Sequence, residues 1–191
     1  MLKYVGGLLL GVSLGANDAA NVFGTAVASR MIKYATAVTL ASVFLVIGAV
    51  LEGYEGVETL RNITGQTART ALICSLSAAC TVGLMTWMKL PVSTSQATVG
   101  AILGIGIRNN DINTYGLGKV FVCWLGTPLG GLLFSVILYL TAAKLLKHFS
   151  PNLFLRDSIL RVLLVIGGCY GAYALGANNV ANVIGVYEPS S

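Results

Sequence analysis

Charge is scarce in this sequence. Lys, Arg, Asp and Glu together make up 10% of its 191 residues, where a soluble domain carries about 25%. Histidine occurs once, in a basic stretch, and no apolar run holds an HExxH-type zinc motif or paired catalytic acids. That removes the usual supports for a membrane enzyme. The four cysteines, Cys74, Cys80, Cys123 and Cys169, form no CxxC pair, so thiols buried in helical spans are expected rather than a disulfide framework. Lys and Arg outnumber Asp and Glu by 12 to 7. There is nevertheless no basic run and no basic patch interleaved with aromatics, so nucleic acid is not an expected partner. The ten-residue alternation of a membrane barrel is missing. A cleavable signal peptide is not expected either, because the first apolar run is too long and polar residues interrupt it.

What the chain does have is apolar length. Hydrophobic residues make up 55% and the mean hydropathy is +0.80, with runs near the ~18–20 residues that cross a bilayer. The fold class expected is an all-α integral membrane protein. Spans are expected over 4–29 and 35–51, followed by a polar loop over 52–67 holding Glu52, Glu55 and Glu58 against Arg61. An apolar helix over 68–88 stops at Pro91, and a shorter one ends near Ile107. At roughly 24 Å the second piece is short for a crossing, so 68–107 reads as a re-entrant hairpin. A partly amphipathic piece over 115–125, a span over 127–143 and a last span over 162–187 follow. Basic residues cluster at 30–33 and at 144–161. Both loops are therefore expected on the cytoplasmic side of the cell membrane, with the N-terminus outside.

The sequence repeats itself. Leu14-Gly15-Ala16-Asn17-Asp18-Ala19-Ala20-Asn21-Val22-Phe23-Gly24 matches 175–185 at eight of eleven positions, at an offset of 161. Two copies on opposed spans are the signature of an inverted-repeat transporter with its site near the midplane. The division expected is 1–161 as a first repeat and 162–191 as the first span of an incomplete second one.

Asp18 lies fifteen residues from Lys3 and twelve from Arg30, roughly 18–22 Å from either flank and so near the bilayer centre. A charge there costs at least ~2.5 kcal/mol. Asn17, Asn21 and Thr25 form a polar stripe at i, i+4 beside it. Carboxylate and carboxamide oxygens are hard ligands, suited to Na⁺ or a proton and not to zinc. Gly11, Gly15 and Ala19, spaced by four, predict a face for close helix packing. At the hairpin turn, Ser93 is a good N-cap, and the N–H groups of Thr94, Ser95 and Gln96 at a helix start make a ready anion site. An anion there and the Asp18 carboxylate would repel unless a cation lay between them. Moving an anion into an inside-negative cell costs ~2.3 kcal/mol per charge per 100 mV, which co-moving cations offset.

With these motifs in order, the chain resembles the inorganic phosphate transporter (PiT) family. Gly15 to Asn21 is similar to that family's GANDxAN signature, Val57-Glu58-Thr59-Leu60 to its VxETI segment, and Leu90-Pro91-Val92-Ser93-Thr94-Ser95 to its hairpin LPVSTT. Gly176 to Asn182 resembles its second signature. The resemblance implies import of inorganic phosphate coupled to Na⁺ or H⁺, with no other cofactor. It implies substrate contacts from Ser93, Thr94, Ser95, Gln96, Asp18, Asn21 and Asn182. Na⁺ candidates are Asn17, Asp18, Asn21, Asn178, Asn179 and Asn182, and Glu58 is a coupling residue. Partners implied are the bilayer and either a second copy in a homo-oligomer or a complementing half-transporter. Gln96 stands where the family commonly has His, and Asn179 where it has Asp. Sulfate remains the alternative anion.

Overall fold

The computed structural model describes residues 5–61, 67–149 and 152–187. Six α-helices make up almost all of it: α1 (Val5–Ala28), α2 (Tyr34–Arg61), α3 (Ala68–Trp87), α4 (Thr94–Asn109), α5 (Thr114–Phe149) and α6 (Leu153–Ile184), closed by a 3-10 turn at Gly185–Tyr187. Among the described residues, α2, α3, α5 and α6 each hold a segment long and apolar enough to cross a membrane.

Side-chain contacts give the helix directions. Gly7 meets Tyr187, Val22 lies against Gly171 and Phe23 against Gly168, so α1 and α6 are antiparallel. The two copies of the repeated motif therefore run in opposite directions. Leu45 and Ala49 lie against Gly176, and Gly53 against Val180, so α2 runs parallel to α6. Ser13 donates to the Ala79 carbonyl and Asn17 meets Thr86, so α3 runs parallel to α1. Ala78 and Ala79 pack near Ala97, while Ala71 and Cys74 share a core with Val99 and Ile102. Helices α3 and α4 thus form an antiparallel hairpin that enters and leaves at one end. Its tip meets Asn17, about halfway along α1.

Several boundaries differ from the sequence expectation. The acidic stretch expected as a loop over 52–67 is helical as far as Arg61. Nothing in Glu52–Arg61 stops a helix: no proline occurs, and Gly53 lets α2 close on Val180. The side chains of Glu55, Glu58 and Arg61 lie outside the described residues, and with them the expected pairing. The pieces at 115–125 and 127–143 are one helix with Pro128 inside it. Proline removes one backbone bond, which a long apolar helix tolerates. Helix α6 begins at Leu153 rather than 162, so the basic loop contracts and Arg161 pairs with Asp157 at 3.4 Å one turn away. The thiol expectation holds only for Cys74, which is buried; Cys169 is half-buried, and Cys80 and Cys123 are exposed. A cysteine is small enough to lie on an outer helix face without cost.

The expected close-packing face of α1 also needs correction. A methyl group added at Gly11 or Gly15 would meet nothing within 4 Å. The close approach lies between α2 and α6 instead. A methyl at Gly48 would strike the Tyr173 carbonyl, and one at Gly176 would strike the Leu45 carbonyl. Helix α5 joins the core through its first turns, where Leu117, Val120 and Trp124 pack near Val99 and Ile102, and it buries Leu146 near its far end. Between these it exposes Leu129, Leu132, Leu133 and Phe134, a surface of the kind lipid covers.

One polar junction ties the ends of three helices together. The Tyr187 hydroxyl accepts from the Gly7 N–H at 3.0 Å and bonds the Ser75 hydroxyl at 2.6 Å, with Ser75 fully buried in α3. Gly7 lies in the first turn of α1, where N–H groups have no partner in their own helix. Tyr187→Phe leaves that donor unpaired, at an expected cost of ~1–2 kcal/mol. A thermal transition unchanged from wild type in detergent would show that the junction contributes nothing.

Candidate functional site

Three elements converge where the hairpin tip meets α1 and α6. Helix α4 starts there because Pro91 cannot continue α3 and Ser93 can cap a new helix. Ser93 has extended backbone, and its hydroxyl accepts from the Gln96 N–H at 3.3 Å. The Ala97 N–H bonds the Ser93 carbonyl. The cap therefore consumes the Gln96 N–H, and the N–H groups of Thr94 and Ser95 are the ones left at the helix start.

A cavity of about 490 Å³ lies where the tip meets the two motif helices. The tip contributes Ser93, Thr94 and Ser95, α1 contributes Asp18, Asn21 and Val22, and α6 contributes Asn178 and Asn179 together with Gly167, Gly171 and Leu175. The Gln96 side chain is exposed and does not line this cavity. The two glycines leave room between α6 and the tip. Sequence reasoning missed them, although their i, i+4 spacing is a readable small-residue signal. The volume falls in the range of small-ligand sites.

The polar atoms are arranged with direction. Asp18 Oδ1 accepts from Asn17 Nδ2 at 2.6 Å, and Asp18 Oδ2 accepts from the Thr94 hydroxyl at 3.3 Å. Asn17 Nδ2 also donates to the Val92 carbonyl at 2.9 Å, and its Oδ1 lies 3.5 Å from the Thr86 hydroxyl. Asn17 is thus turned away from the cavity and holds the hairpin tip to α1. Sequence reasoning missed Thr86 as well, since a lone threonine near a helix end carries no signal of its own. Asn182 lies one layer behind the lining, where Nδ2 donates to Ser95 Oγ at 3.0 Å and to Asn179 Oδ1 at 2.8 Å. Asn178 lines the cavity. Among the described residues no Lys or Arg pairs with Asp18.

Of the residues singled out in the sequence, Ser93, Thr94, Ser95, Asp18, Asn21, Asn178 and Asn179 share this one cavity. Asn17 and Asn182 support it from behind, Gln96 stays outside, and the Glu58 side chain is not among those described. The combination offers hydroxyl and N–H donors on one wall and carboxylate and carboxamide oxygens on the others. The donors suit an oxyanion, and the oxygens suit a hard cation such as Na⁺.

Known proteins share both the sequence and the fold. A sequence model described as the phosphate transporter family matches residues 14–189. The chain is 31% identical over 185 residues to the sulfate permease CysP of Bacillus subtilis, covering 93% of this chain and 51% of that protein. It is 32% identical over 153 residues to the mouse sodium-dependent phosphate transporter 1, covering 72% of this chain and 22% of that one. Its fold matches a solved structure titled "The sodium-dependent phosphate transporter", with a TM-score of 0.79 and 22% identity over 97% of this chain and 65% of the other. The chain spans about half the length of CysP and less of the mouse protein. A match across nearly the whole sequence, on a bundle of membrane-crossing helices, makes this chain a multi-pass membrane protein belonging to the phosphate transporter family.

Proposed function

We propose that this chain carries the oxyanion and cation site of an inorganic phosphate symporter of the cell membrane, driven by Na⁺ or H⁺. The observation that carries the reading is the single cavity in which a hydroxyl-bearing helix start faces the carboxylate of Asp18, between antiparallel copies of one motif. An oxyanion held at Ser93 and Ser95 would be repelled by Asp18 unless a cation neutralised it. Simultaneous loading of the two ions is therefore favoured, and that is the basis of symport. Na⁺ is the first candidate, because the oxygens around the cavity are hard neutral or anionic ligands and two similar proteins are titled sodium-dependent. The hairpin is re-entrant in this reading, since both its ends lie on one side and its tip stops halfway along α1. The basic stretches at 30–33 and 144–161 face the cytoplasm in this reading, which leaves the N-terminus outside.

Phosphate uptake into vesicles tests this. An imposed inward Na⁺ gradient should accumulate labelled phosphate, an ionophore should abolish the accumulation, and a proton gradient should act only if H⁺ is the driving ion. Uptake indifferent to either gradient would mean a passive pore. A sulfate permease is the second reading, supported by the likeness to CysP. Excess sulfate that displaces phosphate as well as unlabelled phosphate does would favour it. The transporting unit also includes a second chain or half. Gly6, Ser13 and Asn17 seat the hairpin on α1. Their counterparts at the repeat offset on α6 are Gly167, Ala174 and Asn178, of which Ala174 and Asn178 are exposed and Gly167 meets nothing within 4 Å.

A further inference from the structure

The buried asparagines of the second motif form a chain of hydrogen bonds whose direction is dictated from one end. The Leu175 carbonyl can only accept. The atom of Asn179 that meets it at 3.0 Å is therefore the amide nitrogen. Asn179 Oδ1 must then point the other way, and it accepts from Asn182 Nδ2 at 2.8 Å. The second hydrogen of that same nitrogen goes to Ser95 Oγ at 3.0 Å. Both asparagines are buried, Asn179 at 7% exposure and Asn182 at 3%, which limits competition from water. Ser95 receives a hydrogen and keeps its own. Among the described residues no protein acceptor takes the Ser95 hydroxyl hydrogen, and the side chain lines the cavity.

We propose that Asn179 and Asn182 are positioning residues, an amide relay that holds the Ser95 hydroxyl with its hydrogen directed into the cavity as a donor to the oxyanion. The proposal rests on the reading of this cavity as an oxyanion site. It divides the three hydroxyls of the tip between two tasks. Ser93 accepts from its own helix start and keeps its hydrogen for the anion. Ser95 is oriented by the relay for the same use. Thr94 directs its hydrogen at Asp18 and is lost to the anion while that bond lasts. A carboxylate at position 179 would accept from Asn182 equally well but has no hydrogen for the Leu175 carbonyl, so the carboxamide is what anchors the direction.

The test is a double-mutant cycle on the full chain in lipid nanodiscs, read as the Kd for labelled inorganic phosphate at fixed Na⁺. Ser95→Ala is expected to weaken binding about 10-fold or more, the size of a hydrogen bond to a charged group. Asn182→Leu, which keeps the volume but cannot donate, is expected to weaken it several-fold. In the Ser95→Ala background the same change should alter Kd by less than about 2-fold, because its effect runs through the hydroxyl that is gone. Losses that multiply in the double mutant would overturn the relay and leave the oxyanion site standing. A wild-type protein that binds no phosphate would overturn both. If Asn182→Leu does not fold, the cycle runs with Asn179→Leu. That change leaves Asn182 in place but free to turn over, so the Ser95-dependent loss should reappear and again vanish in the Ser95→Ala background.

Discussion

Asp18→Asn is expected, on the proposed symport reading, to reduce gradient-driven phosphate uptake by about 100-fold, on the order of 3 kcal/mol, while leaving the fold intact. Asp18 is the one carboxylate lining the cavity among the described residues. It sits near the middle of an apolar helix, where a charge costs at least ~2.5 kcal/mol. Two donors, Asn17 at 2.6 Å and Thr94 at 3.3 Å, point at its oxygens. A carboxamide has nearly the same shape but brings a donor where one of those donors already points. It also brings no charge to hold a cation beside the oxyanion. The chain contains its own control for shape: the matching position in the second motif is Asn179, which is buried and hydrogen-bonded at its nitrogen to Leu175 and at its oxygen to Asn182. Replacing a half-buried charge by a neutral isostere also relieves desolvation. The thermal transition of the variant should therefore stay at or above that of wild type while uptake loses its dependence on the cation gradient. Uptake equal to wild type, with the same gradient dependence, would remove Asp18 from the coupling mechanism.

A second large effect is expected from a single methyl group at Gly176. The added Cβ would collide with the Leu45 carbonyl and lie 3.0 Å from the Ala49 nitrogen. Both obstacles are backbone, so no side chain can swing aside, and α2 and α6 must separate over the crossing where their backbones come closest. Gly176→Ala is expected to cost ~2–3 kcal/mol even after the ~1 kcal/mol that alanine gains over glycine in helix propensity. The same substitution at Gly15, its partner in the repeat, should be neutral or stabilising. A methyl there meets nothing within 4 Å. Thermal unfolding of the two variants side by side measures the contrast. Equal shifts at Gly15 and Gly176 would contradict the close packing of α2 on α6.

These two residues also show where sequence reasoning stops. Length, hydropathy and scarce charge determine a helical membrane protein, because a bilayer accepts few other ways of pairing backbone groups. The duplicated motif, the Pro91 stop and the Ser93 cap are also readable directly, since each acts within a few residues of itself. The stretch from Glu52 to Arg61 reads as a loop because it is acidic, yet acidity does not break a helix and no other breaker lies in it. Which glycine is crowded cannot be read locally: Gly15 and Gly176 have the same neighbours in sequence, and only the arrival of α2 against α6 separates them. The same holds for the polar groups. The sequence by itself determined that a carboxylate and carboxamides lie in the middle of one apolar run and hydroxyls at a hairpin turn. Tertiary structure alone decided that Asn17 clamps the tip, that Gln96 stays outside and that Ser95 lines the cavity. Helical periodicity sets only the angle of a side chain about its own axis; what that angle faces depends on contacts between residues far apart in the chain.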